Sequence, residues 1–195
     1  MAVEAVDVKK LREITGAGVL ECKQALEESS GDFGKATDVL KKKGFAKAAK
    51  KLARSTNEGR IGAYIHSNGK IGALVEINCE TDFVARNELV MQLLKDLCMQ
   101  VAATNPVSVS REDIPKDVVE RQKDVFRQSV DNKPADIAEK IINGKMEEFF
   151  KEKCLLEQPF IKDGSQTIKD LITGKIANLG ENIKVSRFVR FGVGE

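Results

Sequence analysis

Residues 59–87 read GRIGAYIHSNGKIGALVEINCETDFVARN and contain the most regular pattern of the chain. Apolar residues recur at every second position before and after Asn68-Gly69. A period of two is typical of β-strands, and Asn-Gly favours a tight hairpin turn because both residues tolerate a positive φ. The stretch therefore predicts a β-hairpin, in which His66 lies near the turn as a partly exposed structural side chain.

The end of this stretch joins the second strand to a helix. Thr81 is a suitable N-cap for one helical turn, which would carry Asp82 and Phe83 side by side at its tip. Asn87 then caps a long amphipathic helix that ends at Asn105-Pro106. A large apolar side chain beside a carboxylate is a good anchor for another protein. A position for Phe83 inside the core is the alternative.

The C-terminal half continues with helical patterns and ends in a strand. Pro115 opens one helix, and Ile137 begins another, with Gly144 as a candidate interruption. Ser165 is the predicted cap of a shorter helix, and period-two alternation returns after Gly180. A two-stranded hairpin is not stable alone, so we expect the last strand to complete a three-stranded antiparallel sheet covered by helices. The predicted fold class is α+β.

Before the hairpin, residues 7–44 show three short amphipathic patterns. Asp7 is the predicted cap of the first helix, Gly16 its end, and Gly18 the point where the chain restarts. Asp32 is the predicted cap of the third helix and Gly44 its end. Because helices this short are unstable in isolation, the three must bury their apolar faces together. We therefore predict a helical bundle over 1–44.

A run of positive charge follows the bundle. Residues 41–54 read KKKGFAKAAKKLAR, with seven basic side chains and no acidic one. The spacing of its apolar residues predicts a basic linker helix over 45–58, which leaves 59–195 as an α+β core domain. Two interpretations remain open for the charge: a solvated linker, or a contact with an acidic protein surface or RNA.

Composition excludes several classes of function. The 195 residues carry a net charge of +2, which gives no reason to expect bulk nucleic-acid binding. The four cysteines, Cys22, Cys79, Cys98 and Cys154, are too far apart for the usual zinc sites, and His66 is the single histidine. GxGxxG, GxxxxGK[ST], HExxH and GxSxG are all absent from the sequence. We expect no catalytic residue, no metal and no cofactor.

The sequence also predicts where the chain functions. The N-terminal residues lack the apolar core of a signal peptide, and no stretch approaches the roughly 20 apolar residues that span a bilayer. Without an export signal, the cysteines are best interpreted as reduced, buried thiols. We therefore expect a cytoplasmic protein with no membrane partner.

Several segments resemble a known family. CETDFVARN at 79–87 and VKKLREITGAGVLECKQAL at 8–26 resemble the two signatures of the elongation factor Ts family. The resemblance continues, in the same order along the chain, through GDFGKATDVLKKKG at 31–44, YIHSNGKIGALVEIN at 64–78 and KCLLEQPFIKD at 153–163.

The resemblance implies a fold and a function. The fold is a ubiquitin-associated-like helical bundle, a basic linker and an α+β core. The function is guanine-nucleotide exchange on elongation factor Tu, which would bind with GDP, lose its Mg²⁺ and exchange GDP for GTP. By resemblance, the segment that dislodges Mg²⁺ consists of Thr81, Asp82, Phe83 and Val84. A second docking surface lies in the N-terminal bundle and consists of Leu11, Arg12, Thr15, Gly16 and Gly18.

The chain also differs from longer members of the family. It has a single hairpin core and is predicted to lack a long inserted helical hairpin, whereas longer members carry a duplicated core. The resemblance therefore suggests a homodimer joined through the sheet and binding two Tu molecules, with no direct nucleic-acid contact. Two other classes remain as alternatives: an adaptor that binds a ubiquitin-like domain or RNA through the bundle and basic stretch, and a small enzyme.

Overall fold

The computed structural model describes residues 3–131 and 133–195, which form helices around one three-stranded sheet and one small hairpin. The helices are α1 (Ala5–Thr15), α2 (Val19–Glu28), α3 (Phe33–Ala49), α4 (Asp82–Ala85), α5 (Glu88–Thr104), α6 (Lys116–Gln128), α7 (Ala135–Lys153) and α8 (Ile168–Leu179). The strands are β1 (Glu58–Ile65), β2 (Ile71–Cys79), β3 (Pro159–Phe160), β4 (Asp163–Thr167) and β5 (Ile183–Gly192). The predicted α+β class is confirmed.

Helices α1, α2 and α3 form the predicted N-terminal bundle. Gly16 ends α1 in the left-handed conformation, with a φ of 68°, and the Asp32 side chain caps α3 by accepting from the backbone N–H of Lys35. The cap of α1 is Glu4, so the prediction of Asp7 in this role is wrong; Asp7 lies in the first turn instead. The buried residues of the bundle are Val8, Leu11, Cys22, Ala25, Leu26, Ala36 and Leu40.

Helix α3 continues through Gly44 to Ala49, so Gly44 does not end it and no separate linker helix over 45–58 exists. Residues 50–54 form turns, and β1 begins at Glu58. A β-carbon on Gly44 would stand 3.1 Å from the β-carbon of Ala177 in α8. The glycine therefore permits close packing between α3 and α8, and this contact sustains the helix beyond it.

The central sheet has the order β1-β2-β5 and is antiparallel throughout, which confirms the hairpin and the position of the last strand. At the hairpin turn the His66 N–H donates to the carbonyl oxygen of Ile71 at 2.8 Å. Gly69 has a positive φ of 67°, whereas Asn68 does not.

One face of the sheet is covered by α5. Ala73, Val75 and Ile77 of β2 are buried in the same cluster as Leu93 and Leu97. In β1 the residue beside this helix is Gly62, because a β-carbon there would overlap Leu94. The apolar residues on either side of Gly62, Ile61 and Ala63, therefore lie on the opposite, open face.

An irregularity in β5 divides its apolar residues between the two faces. Val185 pairs with Ile77 and Arg187 pairs with Glu76, so Ser186 is an extra residue that forms a β-bulge. Residues before the bulge, such as Val185, are buried, whereas Val189 and Phe191 are 40% and 66% exposed. The simple alternation predicted for this strand holds on each side of the bulge but not across it.

Helices α6 and α7 pack against each other as a helical hairpin. They are 13 and 19 residues long and correspond to the two helices predicted to begin at Pro115 and near Ile137. Gly144 lies inside α7 without interrupting it. At the base of this hairpin the Arg111 guanidinium binds Glu147 and Glu157 and lies 4.6 Å from the centre of the Phe150 ring.

The connection from α7 to α8 differs from the prediction. It contains the short β3–β4 hairpin, which the sequence did not indicate, and Ser165 lies within β4. The cap of α8 is Thr167, whose hydroxyl accepts from the Asp170 N–H at 3.1 Å. Along the described ranges, no helix is both long and apolar enough to span a membrane.

Candidate functional site

The segment between β2 and α5 forms the turn predicted from the sequence. Cys79 is the last residue of β2, and α4 begins two residues after Glu80. The Thr81 hydroxyl caps this turn by accepting from the Val84 N–H at 3.4 Å. Asn87 caps the following helix by accepting from the Leu89 N–H at 2.9 Å. Two caps within seven residues hold the turn between a strand and a long helix.

Phe83 projects from this turn into solvent. Its side chain is 81% exposed, the largest exposed fraction among the large hydrophobic residues described. Ala85 is buried and Val84 packs against the core, so the turn is anchored on the side opposite Phe83. Asp82 is half-exposed and pairs with Arg86 at 3.2 Å. A core position for Phe83, the alternative left open by the sequence, is therefore wrong.

The turn is also held from the C-terminal side of the molecule. Both oxygens of the Glu181 carboxylate accept from Thr81, at 3.1 Å from the backbone N–H and 2.8 Å from the hydroxyl. In return, Glu80 accepts from the Asn182 N–H at 2.7 Å. That hydrogen bond, followed by the charge of Arg54, lowers the pKa of Glu80. No sequence pattern indicates these contacts, because about 100 residues separate the partners.

Cys79 adds a contact beneath the same turn. Its thiol donates to the carbonyl oxygen of Thr81 at 3.1 Å. Burial raises the pKa of the Cys79 thiol, and the nearby Glu181 carboxylate raises it further. The sulfur therefore stays protonated and remains a donor. All four cysteines are buried free thiols.

The residues predicted as an N-terminal docking surface lie at the junction of α1 and α2. Arg12, Gly16 and Gly18 are exposed, but Leu11 is completely buried in the bundle and can only support this surface from beneath. The Thr15 hydroxyl, half-buried, donates to the Leu11 carbonyl oxygen at 2.7 Å.

Three exposed apolar residues at this junction were missed by the sequence analysis: Ile14, Val19 and Leu20, which are 70%, 56% and 68% exposed. The sequence carries no clear signal for them, because adjacent apolar residues on a helix can both face one core, as Ala25 and Leu26 do in the same helix. Beside them lies an open groove of about 680 Å³ between the bundle and α8, lined in part by Gly16, Phe45 and Asn178.

The basic stretch 41–54 is largely tied into the fold. Lys43 pairs with Glu28 at 2.6 Å, and Lys47 pairs with Glu21. The other two contacts reach the core domain: the Lys51 ammonium donates to the Gly180 carbonyl oxygen, and Arg54 pairs with Glu80 at 3.4 Å. Four of its seven cations therefore have intramolecular partners, which favours a structural role.

The described residues contain no group of three or more His, Cys, Asp or Glu side chains that could hold a metal ion. What the site offers is a surface: an aromatic ring and a carboxylate on a braced turn, and a second apolar patch on the bundle.

Comparison with known proteins identifies the family of the chain. The family profile described as "Elongation factor TS" matches residues 10–195. The chain is 57% identical over 196 residues to "Elongation factor Ts" of Thermodesulfovibrio yellowstonii, covering 100% of this chain and 98% of that protein. It is 54% identical to the protein of the same name from Oleidesulfovibrio alaskensis over 99% and 98% of the two chains, and 55% identical to that from Thermotoga neapolitana over 96% and 95%. Identity at this level over almost the full length of both proteins is far beyond chance, and the chain belongs to the elongation factor Ts family.

Proposed function

We propose that this chain is a guanine-nucleotide exchange factor of translation elongation that binds elongation factor Tu with GDP and promotes exchange for GTP. It acts without covalent chemistry and in the cytoplasm. Family membership supports the partner. The observation that carries the proposal is the 81% exposure of Phe83 on a turn anchored at both ends.

In this proposal, Phe83 enters an apolar gap in the nucleotide domain of Tu while Asp82 acts on the adjoining helix. Mg²⁺ requires nearly ideal octahedral geometry and few protein ligands hold it, so a small displacement of those ligands releases it. Burying one phenylalanine supplies about 1.5–3 kcal/mol. Each 1.4 kcal/mol is about tenfold in affinity, so Phe83 alone lowers the affinity of Tu for nucleotide about 10- to 100-fold.

Thermodynamic linkage makes the effect reciprocal. If this chain lowers the affinity of Tu for nucleotide by a given factor, nucleotide lowers the affinity of Tu for this chain by the same factor. Incoming GTP therefore expels the exchange factor. The rest of the coupling free energy comes from the remaining contacts, among which we include the N-terminal surface around Arg12, Thr15, Gly16 and Gly18 together with the exposed Ile14 and Leu20.

The decisive experiment measures release of a fluorescent GDP from purified Tu with and without this protein. We expect the wild type to accelerate release and Phe83→Ala to reduce the acceleration about 10- to 100-fold. Val125→Ala, an exposed apolar residue on α6, is the control and should match the wild type. No acceleration by the wild type would overturn the exchange function. Equal rates for the wild type and Phe83→Ala would overturn the role of Phe83.

We also propose that two copies associate through the open face of the sheet. Ile61 and Ile65 of β1, Leu74 of β2, and Val189 and Phe191 of β5 lie together on this face and are 40–72% exposed. Contiguous exposed apolar patches of this kind mark interaction sites. A second copy is the partner of matching shape, because two such sheets pack face to face as a sandwich with a shared apolar interior.

A further inference from the structure

The position of Phe83 depends on a contact with a distant part of the chain. Phe83 is 81% exposed, so its neighbours do little to orient it, and its direction is set by the backbone of α4. That backbone begins at Thr81, where both the N–H and the hydroxyl donate to the Glu181 carboxylate, at 3.1 and 2.8 Å. Glu181 lies between α8 and β5, in the turn that follows Gly180.

The two hydrogen bonds act on the cap of α4. A threonine hydroxyl has one hydrogen and two lone pairs. When the hydrogen points to Glu181, a lone pair remains free to accept from the Val84 N–H, which lies 3.4 Å from the Thr81 oxygen. The carboxylate therefore holds the hydroxyl in the orientation that an N-cap requires.

The turn that carries Glu181 is itself held in place. Asn182 is 3% exposed, and its side-chain amide donates to the carbonyl oxygens of Leu52 and Arg54 at 3.2 and 2.9 Å. Its backbone N–H donates to Glu80 at 2.7 Å. Glu80-Thr81 and Glu181-Asn182 thus exchange hydrogen bonds in both directions, and neither segment can shift without breaking contacts of the other.

We propose that Glu181 is a positioning residue for nucleotide exchange: through Thr81 it holds the α4 turn, and hence the Phe83 ring, in the conformation that enters Tu. This inference rests on the proposed exchange function. A segment that is already held in its bound conformation loses less conformational entropy when it binds. Removing the Glu181 carboxylate therefore weakens binding to Tu, although Glu181 itself does not contact Tu.

The test compares Glu181→Ala and Glu181→Gln in the wild-type and Phe83→Ala backgrounds, with GDP release from Tu as the readout. We expect Glu181→Ala to lower the exchange rate about tenfold, which corresponds to about 1.4 kcal/mol. Glu181→Gln should stay within about threefold of the wild type, because its amide oxygen still accepts from the Thr81 N–H. Glu139→Ala, an exposed carboxylate on α7, is the matched control and should have no effect.

The double variant separates positioning from general destabilisation. If Glu181 acts through Phe83, then Glu181→Ala changes the rate less than about twofold when Phe83 is already alanine. Amide hydrogen exchange supplies a readout without Tu: the Val84 N–H should exchange at least about tenfold faster in Glu181→Ala, with the amides of α5 unchanged. If Glu181→Ala does not fold, Glu181→Asp, which draws the carboxylate back from Thr81 by one methylene group, takes its place with the same expectations.

Any of three results would overturn the positioning role of Glu181. They are full exchange activity of Glu181→Ala, a loss of exchange activity that adds fully to the loss in Phe83→Ala, and unchanged hydrogen-exchange protection of the Val84 amide in Glu181→Ala. Failure of the proposed function looks different. In that case Phe83→Ala itself leaves GDP release unchanged, or the wild type has no effect on Tu.

Discussion

Leu74 of β2 and Val189 of β5 lie directly opposite each other on the open face of the central sheet, although Val185 of the same strand is buried on the other face. The bulge at Ser186 produces this arrangement by adding one residue to β5. It places apolar side chains on a face of the sheet that is not packed under any helix within residues 3–131 and 133–195.

Val189→Asp should convert a dimer into a monomer. The charge would lie at the centre of the proposed sheet-to-sheet contact, where it would lose its water without gaining a partner. Sedimentation equilibrium should give about twice the 21.5 kDa chain mass for the wild type and a single chain mass for the variant. Val125→Asp on the exposed side of α6 should remain dimeric. A wild type that sediments as a monomer would contradict the interface.

The exposure of two apolar side chains predicts very different losses of stability when each is truncated to alanine. Phe83→Ala should change the free energy of unfolding by no more than about 0.5 kcal/mol, because the ring is already in water. Leu97→Ala, which empties a completely buried site beneath the sheet, should cost about 2–5 kcal/mol. Urea denaturation measures both. A large cost for Phe83→Ala would mean that the ring packs inside the protein.

Two glycines should respond oppositely to alanine. Gly144 lies in the interior of α7, and an added β-carbon would have no described atom within 4 Å beyond the adjacent residues and backbone of its own helix, so Gly144→Ala should stabilise the protein by about 0.5–1 kcal/mol. Gly62→Ala should destabilise it, because the new methyl group would overlap Leu94 and push α5 away from the sheet. Thermal unfolding of the two variants beside the wild type checks the signs, and a stabilised Gly62→Ala would refute the close approach of α5.

Glu80 should contribute to the acid sensitivity of the fold. The Asn182 N–H, followed by Arg54, lowers the pKa of Glu80 below its ordinary value of 4.5. A carboxylate with a lowered pKa stabilises the folded state at pH above its unfolded value, and that contribution is lost as pH falls through the folded value. The melting temperature of Glu80→Gln should therefore fall less than that of the wild type between pH 6 and pH 3, roughly the range in which carboxyl groups titrate.

The exposed Glu139→Gln serves as the comparison for that experiment and should keep the acid dependence of the wild type. The same drop in melting temperature for Glu80→Gln and the wild type would show that the Glu80–Asn182 contact does not favour the ionised form.

The sequence by itself determined the features that neighbouring residues produce. Alternation on both sides of Asn68-Gly69 predicts the hairpin, and capping side chains at Thr81 and Asn87 predict the turn and the helix that follow it. Such signals are legible because the interactions that cause them span only two to four residues. The family signatures at 8–26 and 79–87 then identified the segments that now form the two candidate surfaces.

Only the tertiary structure decided which face of the sheet stays open, whether Gly44 ends a helix, and what braces the α4 turn. The open face depends on the bulge at Ser186, and Gly44 stays helical because Ala177 packs beside it. Thr81 meets Glu181 across 100 positions of the chain. No local pattern encodes these contacts, because each of these residues fits its helix, strand or turn equally well without them. The pairs form only when the sheet and the helices pack together.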